Sequence, residues 1–124
     1  MASRPSLHID TAGEHAVVTL VGEFDLDVAD ALRDALGVAV HTRQRVVVDL
    51  SNTEFLDSMT LGCLVMAAKM ARTAGGWLRL AGPSRSIRRV LVITGLDSVI
   101  PVYATVEDAA ALPPEDLLVA ASAI

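Results

Sequence analysis

Residues 46–73, VVVDLSNTEFLDSMTLGCLVMAAKMART, contain the pattern that decides the fold. Residues 46–50 are an apolar run with little alternation, which is typical of a parallel strand covered on both faces. After a loop, the spacing predicts a helix from about Ser58 to Thr73, and Gly75-Gly76 ends it. The apolar face of this helix consists of Leu61, Leu64, Val65 and Ala68. A buried strand followed by an amphipathic helix indicates an α/β protein.

The residues upstream predict an antiparallel hairpin and a first helix. Residues 16–21 are mostly β-branched and apolar, and the turn-like residues 11–14 separate them from a first strand at 6–10. A helix is expected from about residue 28 to 40 with Asp27 as its N-cap, because apolar side chains recur on one helical face.

Four further elements are predicted downstream. They are a strand at Trp77–Ala81, a helix that starts at Ser84 or Ser86 and ends at Gly95, a short edge strand at 100–103, and a last helix that begins at 105–108 and stops at Pro113-Pro114. The whole pattern predicts a mixed, mostly parallel sheet of four to five strands, with an N-terminal hairpin and about four helices. We expect one domain over residues 1–124, with a core at about 7–112 and a tail at 113–124.

Composition and charge exclude several classes of protein. The chain has 124 residues, of which 52% are hydrophobic, so it is long enough to bury a core. Its net charge of −5 does not suit direct binding to nucleic acid. Its single cysteine, Cys63, excludes an internal disulfide. There is no apolar run of about 18 residues to span a membrane and no signal peptide at the N-terminus, so we expect a cytoplasmic protein.

Polar residues after the strand at 46–50 are candidates for chemistry, because ligands gather where parallel strands lead into helices. Ser58 lies there, either as the N-cap of the helix or in its first turn, and capping alone can explain it. A serine hydrolase would need glycines around Ser58 and a later histidine, whereas His8, His15 and His41 all precede it.

Other catalytic classes lack a required residue. A phospho-aspartate receiver built on Asp49 or Asp57 needs a lysine at a later strand end, and the only lysine, Lys69, lies inside the predicted helix. Gly75-Gly76 lies between a helix and a strand, the reverse of the order in a phosphate-binding loop. The sequence therefore predicts no self-sufficient catalytic constellation and no metal site.

Three motifs resemble the STAS domain of bacterial anti-sigma factor antagonists. They are Gly22-Glu23-Phe24-Asp25, Val48-Asp49-Leu50-Ser51 and Phe55-Leu56-Asp57-Ser58-Met59-Thr60-Leu61-Gly62. The most specific part is Asp-Ser-x-x-Leu-Gly at residues 57–62. The resemblance covers residues 7–112, nearly the whole chain, and includes the order of strands and helices.

The resemblance implies a regulatory switch that is not an enzyme. It also implies no cofactor for this chain, because the phosphate donor of the family binds to the partner kinase. A family member binds an anti-sigma factor, which is also a serine kinase, and so frees a sigma factor; phosphorylation of the serine that matches Ser58 ends the contact, and a phosphatase restores it. The expected partner-binding residues are Glu23, Asp25, Asp57, Ser58, Met59 and Thr60. Met59 and Thr60 depart from the commonest motif, which makes Thr60 a second candidate hydroxyl. A monomer and a weak dimer are both compatible with the resemblance.

Two alternatives to the switch stay open from the sequence alone. One is a STAS-type interaction or ligand-sensing module without phosphorylation, and the weaker one is a minimal enzyme that uses Asp57 and Ser58. Phe55 and Leu56 are either core or partner contacts. The basic face of Arg85, Arg88 and Arg89 is either a solvated surface or a second contact patch. Cys63 is predicted to be a small buried hydrophobic residue.

Overall fold

The computed structural model describes residues 4–111 and contains six strands and four α-helices in that range. The strands are β1 (Ser6–Ala12), β2 (His15–Phe24), β3 (Arg45–Asp49), β4 (Thr53–Leu56), β5 (Trp77–Ala81) and β6 (Val102–Tyr103). The helices are α1 (Ala29–Arg43), α2 (Ser58–Thr73), α3 (Arg85–Ile93) and α4 (Val106–Ala111), with short 3₁₀ turns at Leu26–Val28 and Leu96–Ser98.

The strands form one mixed sheet in the order β1-β2-β3-β5-β6. β1 runs antiparallel to β2 as the predicted hairpin, and every other pairing is parallel. This arrangement confirms the predicted fold class. The sheet has six strands rather than four to five, because β4 also pairs with β2.

Alternation along β2 places the main core on one face of the sheet. Val18, Leu20 and Phe24 point into that core and are fully buried. The buried faces of α1, α2 and α3 pack against the same core. α2 therefore lies over the sheet with its first turn beside the end of β2.

The opposite face of the sheet is covered in part by α4, which packs on β3 and β5. Arg79 of β5 is fully buried there, and its guanidinium lies 4.0 Å from the ring centroid of Trp77. Its Nη1 donates a hydrogen bond of 2.7 Å to the carbonyl oxygen of Ala109.

β4 is an addition to the sheet, at residues that the sequence pattern assigned to a loop. The Gly22 amide donates to the Asn52 carbonyl oxygen at 2.9 Å, and the hydroxyl of buried Thr53 donates to the Leu20 carbonyl oxygen at 2.7 Å. A bulge between Gly22 and Glu23 shifts the register where β4 joins β2. As a result, β2 continues to Phe24, beyond the predicted end at residue 21.

The start of α1 differs from the prediction, and the start of α3 shows which of two predicted serines is the cap. Asp27 is not the cap of α1: Asp25 accepts the Asp27 amide at 3.0 Å, and a 3₁₀ turn precedes α1. At α3, Ser84 rather than Ser86 is the N-cap, because its hydroxyl accepts the Ile87 amide at 3.2 Å.

The predicted strand at 100–103 is shorter in the structure, since only Val102 and Tyr103 pair. Thr105 accepts the Asp108 amide at 3.0 Å and starts the last helix as predicted. The predicted stop at Pro113-Pro114 and the predicted tail lie outside the described residues. No helix within residues 4–111 is long and apolar enough to cross a membrane.

Gly76→Ala tests how tightly β5 is joined to the end of α1. A Cβ at Gly76 would overlap the backbone carbonyl of Gln44, whose oxygen accepts the Trp77 amide. We expect Gly76→Ala to lower the free energy of unfolding by about 3 kcal/mol, because backbone must move. Urea unfolding followed by circular dichroism measures this.

The matched control is Gly37→Ala in α1, where an added Cβ meets no atom within 4 Å. This change should raise stability by about 0.5–1 kcal/mol, since alanine favours the helix. Equal effects of the two substitutions would contradict the described packing at Gly76.

Candidate functional site

The candidate site lies where β2 and β4 end and α2 begins. β4 leads directly into Asp57, whose amide donates to the Phe24 carbonyl oxygen at 3.1 Å. This bond holds the start of α2 against the last residue of β2. The residues singled out by the sequence around positions 23–25 and 57–60 are therefore brought together at one edge of the sheet.

Asp57, and not Ser58, caps α2. The Asp57 carboxylate accepts the Thr60 amide at 2.9 Å, and the Asp57 carbonyl oxygen accepts the Leu61 amide at 3.0 Å. Ser58 is the first helical residue, and its side chain is exposed without a hydrogen bond to any residue in 4–111. Asp57 thus caps the helix, and the hydroxyl of Ser58 stays exposed.

Thr60 is fully buried, contrary to the expectation that it contacts a partner or competes as a second hydroxyl. Its Oγ1 lies 2.9 Å from Asp57 Oδ1 and 3.1 Å from the Phe24 carbonyl oxygen, and it can donate to either. Phe24 at the end of β2 and two residues at the start of α2, Asp57 and Thr60, therefore share one hydrogen-bonded junction. The hydroxyl of Thr60 positions the cap and does not reach solvent.

The surface around Ser58 combines acidic and apolar side chains. Asp25 is exposed, and Glu23 and Asp57 are half-buried. The large apolar side chains of Met59 and Phe55 are 46% and 47% exposed. Such a surface suits a protein partner better than a small substrate.

Phe55 and Leu56 illustrate how the structure resolves an alternative that the sequence left open. Phe55 aligns with Glu23 in the β2–β4 pairing and faces outward, whereas Leu56 aligns with Phe24 and is buried in the core.

Sequence reasoning missed Leu26, which is 65% exposed in the 3₁₀ turn. The signal available was an apolar residue between Asp25 and Asp27.

The remaining residues of interest lie away from this surface or are buried. Cys63 is buried as predicted, with its Sγ 3.8 Å from the Ala29 carbonyl oxygen. The three arginines on α3 are exposed, which leaves their role as a contact patch a prediction. Within residues 4–111, no three His, Cys, Asp or Glu side chains are grouped as metal ligands would be.

The electrostatics of the helix start allow an additional negative charge. Asp57 accepts the amides of Thr60 and Leu61, which leaves those of Ser58 and Met59 without an acceptor among the described residues. Free amides and the helix dipole make this end of α2 positive. Chemically, an anionic group on Ser58 would therefore be tolerated by the fold.

Comparison with known proteins agrees with this geometry. The sequence profile described as "STAS domain" matches residues 6–109 of the chain. The chain belongs to the STAS family of anti-sigma factor antagonists. This result confirms the resemblance drawn from the motifs, and it places the chain in a family of regulators that are not enzymes.

Relatives of the STAS chain support the assignment over most of its length. The anti-sigma-F factor antagonist RsfB of Mycobacterium tuberculosis is 33% identical over 113 residues, which cover 86% of this chain and 90% of that protein. The crystal structure of an anti-sigma factor antagonist from Mycobacterium paratuberculosis superposes with a TM-score of 0.78 at 31% identity, covering 86% of this chain and 91% of that one. A Thermotoga neapolitana relative is 35% identical over 65 residues. The aligned region is 52% of this chain, and it spans only 58% of that relative's length.

Substitution of Asp57 and Ser58 tests which residue caps the STAS helix α2. We expect Asp57→Ala to lower the free energy of unfolding by about 1–2 kcal/mol, because the Thr60 amide loses its acceptor. Asp57→Ser should recover most of this loss, since a hydroxyl also caps. Thermal denaturation followed by circular dichroism measures both.

Ser58→Ala is the matched comparison and should leave stability unchanged to within about 0.5 kcal/mol. The cap assignment is wrong if Ser58→Ala is the destabilising substitution and Asp57→Ala is neutral.

Proposed function

We propose that this chain is a cytoplasmic anti-sigma factor antagonist. It binds a serine-kinase anti-sigma factor through the surface around Ser58, and phosphorylation of Ser58 releases that partner until a phosphatase restores the serine. The observation that carries the proposal is the Ser58 side chain, which is exposed and makes no hydrogen bond to residues 4–111, beside a cap formed by Asp57.

The division of roles between Asp57 and Ser58 supports modification without unfolding. A capping serine would have to give up its hydrogen bond when phosphorylated, whereas Ser58 has none to lose among the described residues. The phosphate would carry a charge of about −1.5 to −2 at the positive end of α2. The free chain therefore keeps its fold in both states.

A bound partner would respond differently to the same phosphate. The partner covers the helix start, so the phosphate introduces bulk and a charge that must be desolvated in the interface. Asp25, Glu23 and Asp57 already make this surface acidic, and the phosphate adds to the same sign of charge. A loss of about 3 kcal/mol corresponds to a roughly hundredfold weaker complex.

The proposed contact residues are Glu23, Asp25, Asp57, Ser58 and Met59. Thr60 is left out because it is buried, and its place in the proposal is to hold the Asp57 carboxylate. The exposed ring of Phe55 lies within the same surface. We propose no direct contact with nucleic acid and no membrane anchoring, and either a monomer or a weak dimer as the free form.

Ser58→Glu tests the switch. The wild-type chain and the variant are immobilised, partners are captured from lysate of the native host and identified by mass spectrometry, and the purified partner is titrated against both forms. We expect a kinase-type anti-sigma factor to bind the wild type and to bind Ser58→Glu about a hundredfold more weakly, with the melting temperature nearly unchanged.

Ser86→Glu is the matched control, because Ser86 is an exposed serine in the first turn of another helix, α3. It should bind the partner like the wild type. If Ser58→Glu and the wild type capture the same partners with equal affinity, the chain acts as a STAS interaction module without phosphorylation. A large loss of folded stability in Ser58→Glu would contradict the expected tolerance at the start of α2.

A further inference from the structure

β1 forms one edge of the sheet and has a regular, open outer side. All seven of its residues, Ser6–Ala12, pair with β2. Among the strands described in residues 4–111, none lies on the other side of β1, and its backbone groups make no hydrogen bond there. An open, regular edge strand is a template for pairing with a further strand.

The two edges of the sheet differ in how they are protected. β6, at the opposite edge, has only two residues and follows Pro101, and both a short edge strand and a proline oppose strand addition. β1 has seven residues, six of them exposed, and contains neither proline nor lysine. Its composition therefore permits the pairing that β6 opposes.

The side chains of β1 are self-complementary in one antiparallel register. When two copies of β1 pair about a two-fold axis at Ile9, each Ile9 faces the Ile9 of the second copy. His8 of each copy then stands opposite Asp10 of the other. The symmetry repeats this pair, so one apolar contact is flanked on each side by a histidine opposite a carboxylate.

The pairing with β2 shows which face of the sheet these side chains occupy. Ile9 aligns with the fully buried Val18, which places it on the face of the main core, where it is 40% exposed. His8 and Asp10 are its neighbours in the strand and lie on the opposite face. Neither makes a hydrogen bond or an ion pair within residues 4–111. A histidine N–H can donate to a carboxylate in either charge state of the ring, so both gain a partner in the paired strands.

We propose that the outer edge of β1 is the surface on which two copies of this chain associate, by an antiparallel β1–β1 pairing centred on Ile9. The two sheets become one continuous sheet, and the helix layers formed by α1, α2 and α3 lie on the same side of it. Main-chain hydrogen bonds supply the attraction, and the His8–Asp10 pairs select the register. An interface confined to one strand is small, which makes the dimer weak and dependent on concentration.

This inference goes beyond the proposed function and uses a different surface. The surface around Ser58 lies at the carboxyl end of β2 and contains no residue of β1. The dimer therefore leaves both copies of Ser58 open to the anti-sigma factor.

Cysteine cross-linking tests the register. Opposite Cα atoms in an antiparallel pair are about 4.5–5.5 Å apart, which suits a disulfide. We expect Ile9→Cys to form a covalent dimer under mild oxidation, as seen on a non-reducing gel. Thr11→Cys is the matched control, because its two copies lie four residues apart along the paired strands, roughly 13 Å, and should not cross-link. The buried Cys63 is common to both variants.

Exchange of the two polar side chains tests the charge pairing, with the dissociation constant measured by sedimentation velocity. His8→Asp sets carboxylates opposite each other twice, and we expect association at least about tenfold weaker. Adding Asp10→His to the same chain restores the pairs and should return the constant to within about threefold of the wild type. Other registers do not bring positions 8 and 10 opposite each other and would show no such recovery.

His41→Asp is the control for the change in charge, because His41 is exposed on α1 and lines the groove towards α2. It should associate like the wild type, with melting temperatures confirming that all variants fold. A wild-type chain that stays monomeric up to about 1 mM would overturn the proposal. So would equal cross-linking of the two cysteine variants, or a dimer that is indifferent to His8→Asp.

These measurements use the chain alone and separate this proposal from the proposed function. A chain that captures no anti-sigma factor but shows the expected cross-link and charge exchange would contradict only the proposed function. Ser58→Glu should dimerise like the wild type. If it abolishes dimerisation instead, the contact between copies lies at the Ser58 surface, and the assignment to β1 is overturned.

Discussion

The hydrogen-bonded junction of Phe24, Asp57 and Thr60 is the constraint on which the rest of the site depends. The Phe24 carbonyl oxygen accepts the Asp57 amide at 3.1 Å, and the buried Thr60 hydroxyl lies within hydrogen-bonding distance of both other residues. Because these groups are largely shielded from water, an unpaired member would be costly. The junction therefore fixes the first turn of α2 against the end of β2 and determines which side chains face outward.

This fixed start of the helix explains how a small domain can expose Ser58, the residue modified in the proposed switch, without depending on its side chain for the fold. Asp57 supplies the cap, so the Ser58 side chain is left for solvent and partners. The sheet carries the stability: α1, α2 and α3 cover one face, and α4 with the buried Arg79 covers part of the other. The exposed Ser58 side chain and the buried core are thus separated in space.

Much of the fold could be predicted because its signals are local. The bounds of α2 and β5 match the sequence pattern, since a long apolar period and a glycine pair mark their ends. β4 could not be predicted, because the apolar residues among its four positions follow neither the strand period nor the helix period. β4 also pairs with a strand about thirty positions earlier in the sequence. The roles of the individual site residues could not be predicted from the sequence either. Asp57 and Ser58 are both good caps by composition, and the burial of Thr60 depends on the Phe24 carbonyl, 36 positions away.

Mapping of the phosphorylated residue is the most direct test of the central claim, that Ser58 is the exposed switch and Thr60 is not. The chain is incubated with ATP and the anti-sigma factor that it captures, and the modified peptide is sequenced by tandem mass spectrometry, with Ser58→Ala as the control. We expect one phosphate, on Ser58, and none on the Ser58→Ala variant. A phosphate on Thr60, or no transfer to a chain that binds the kinase, would contradict the claim.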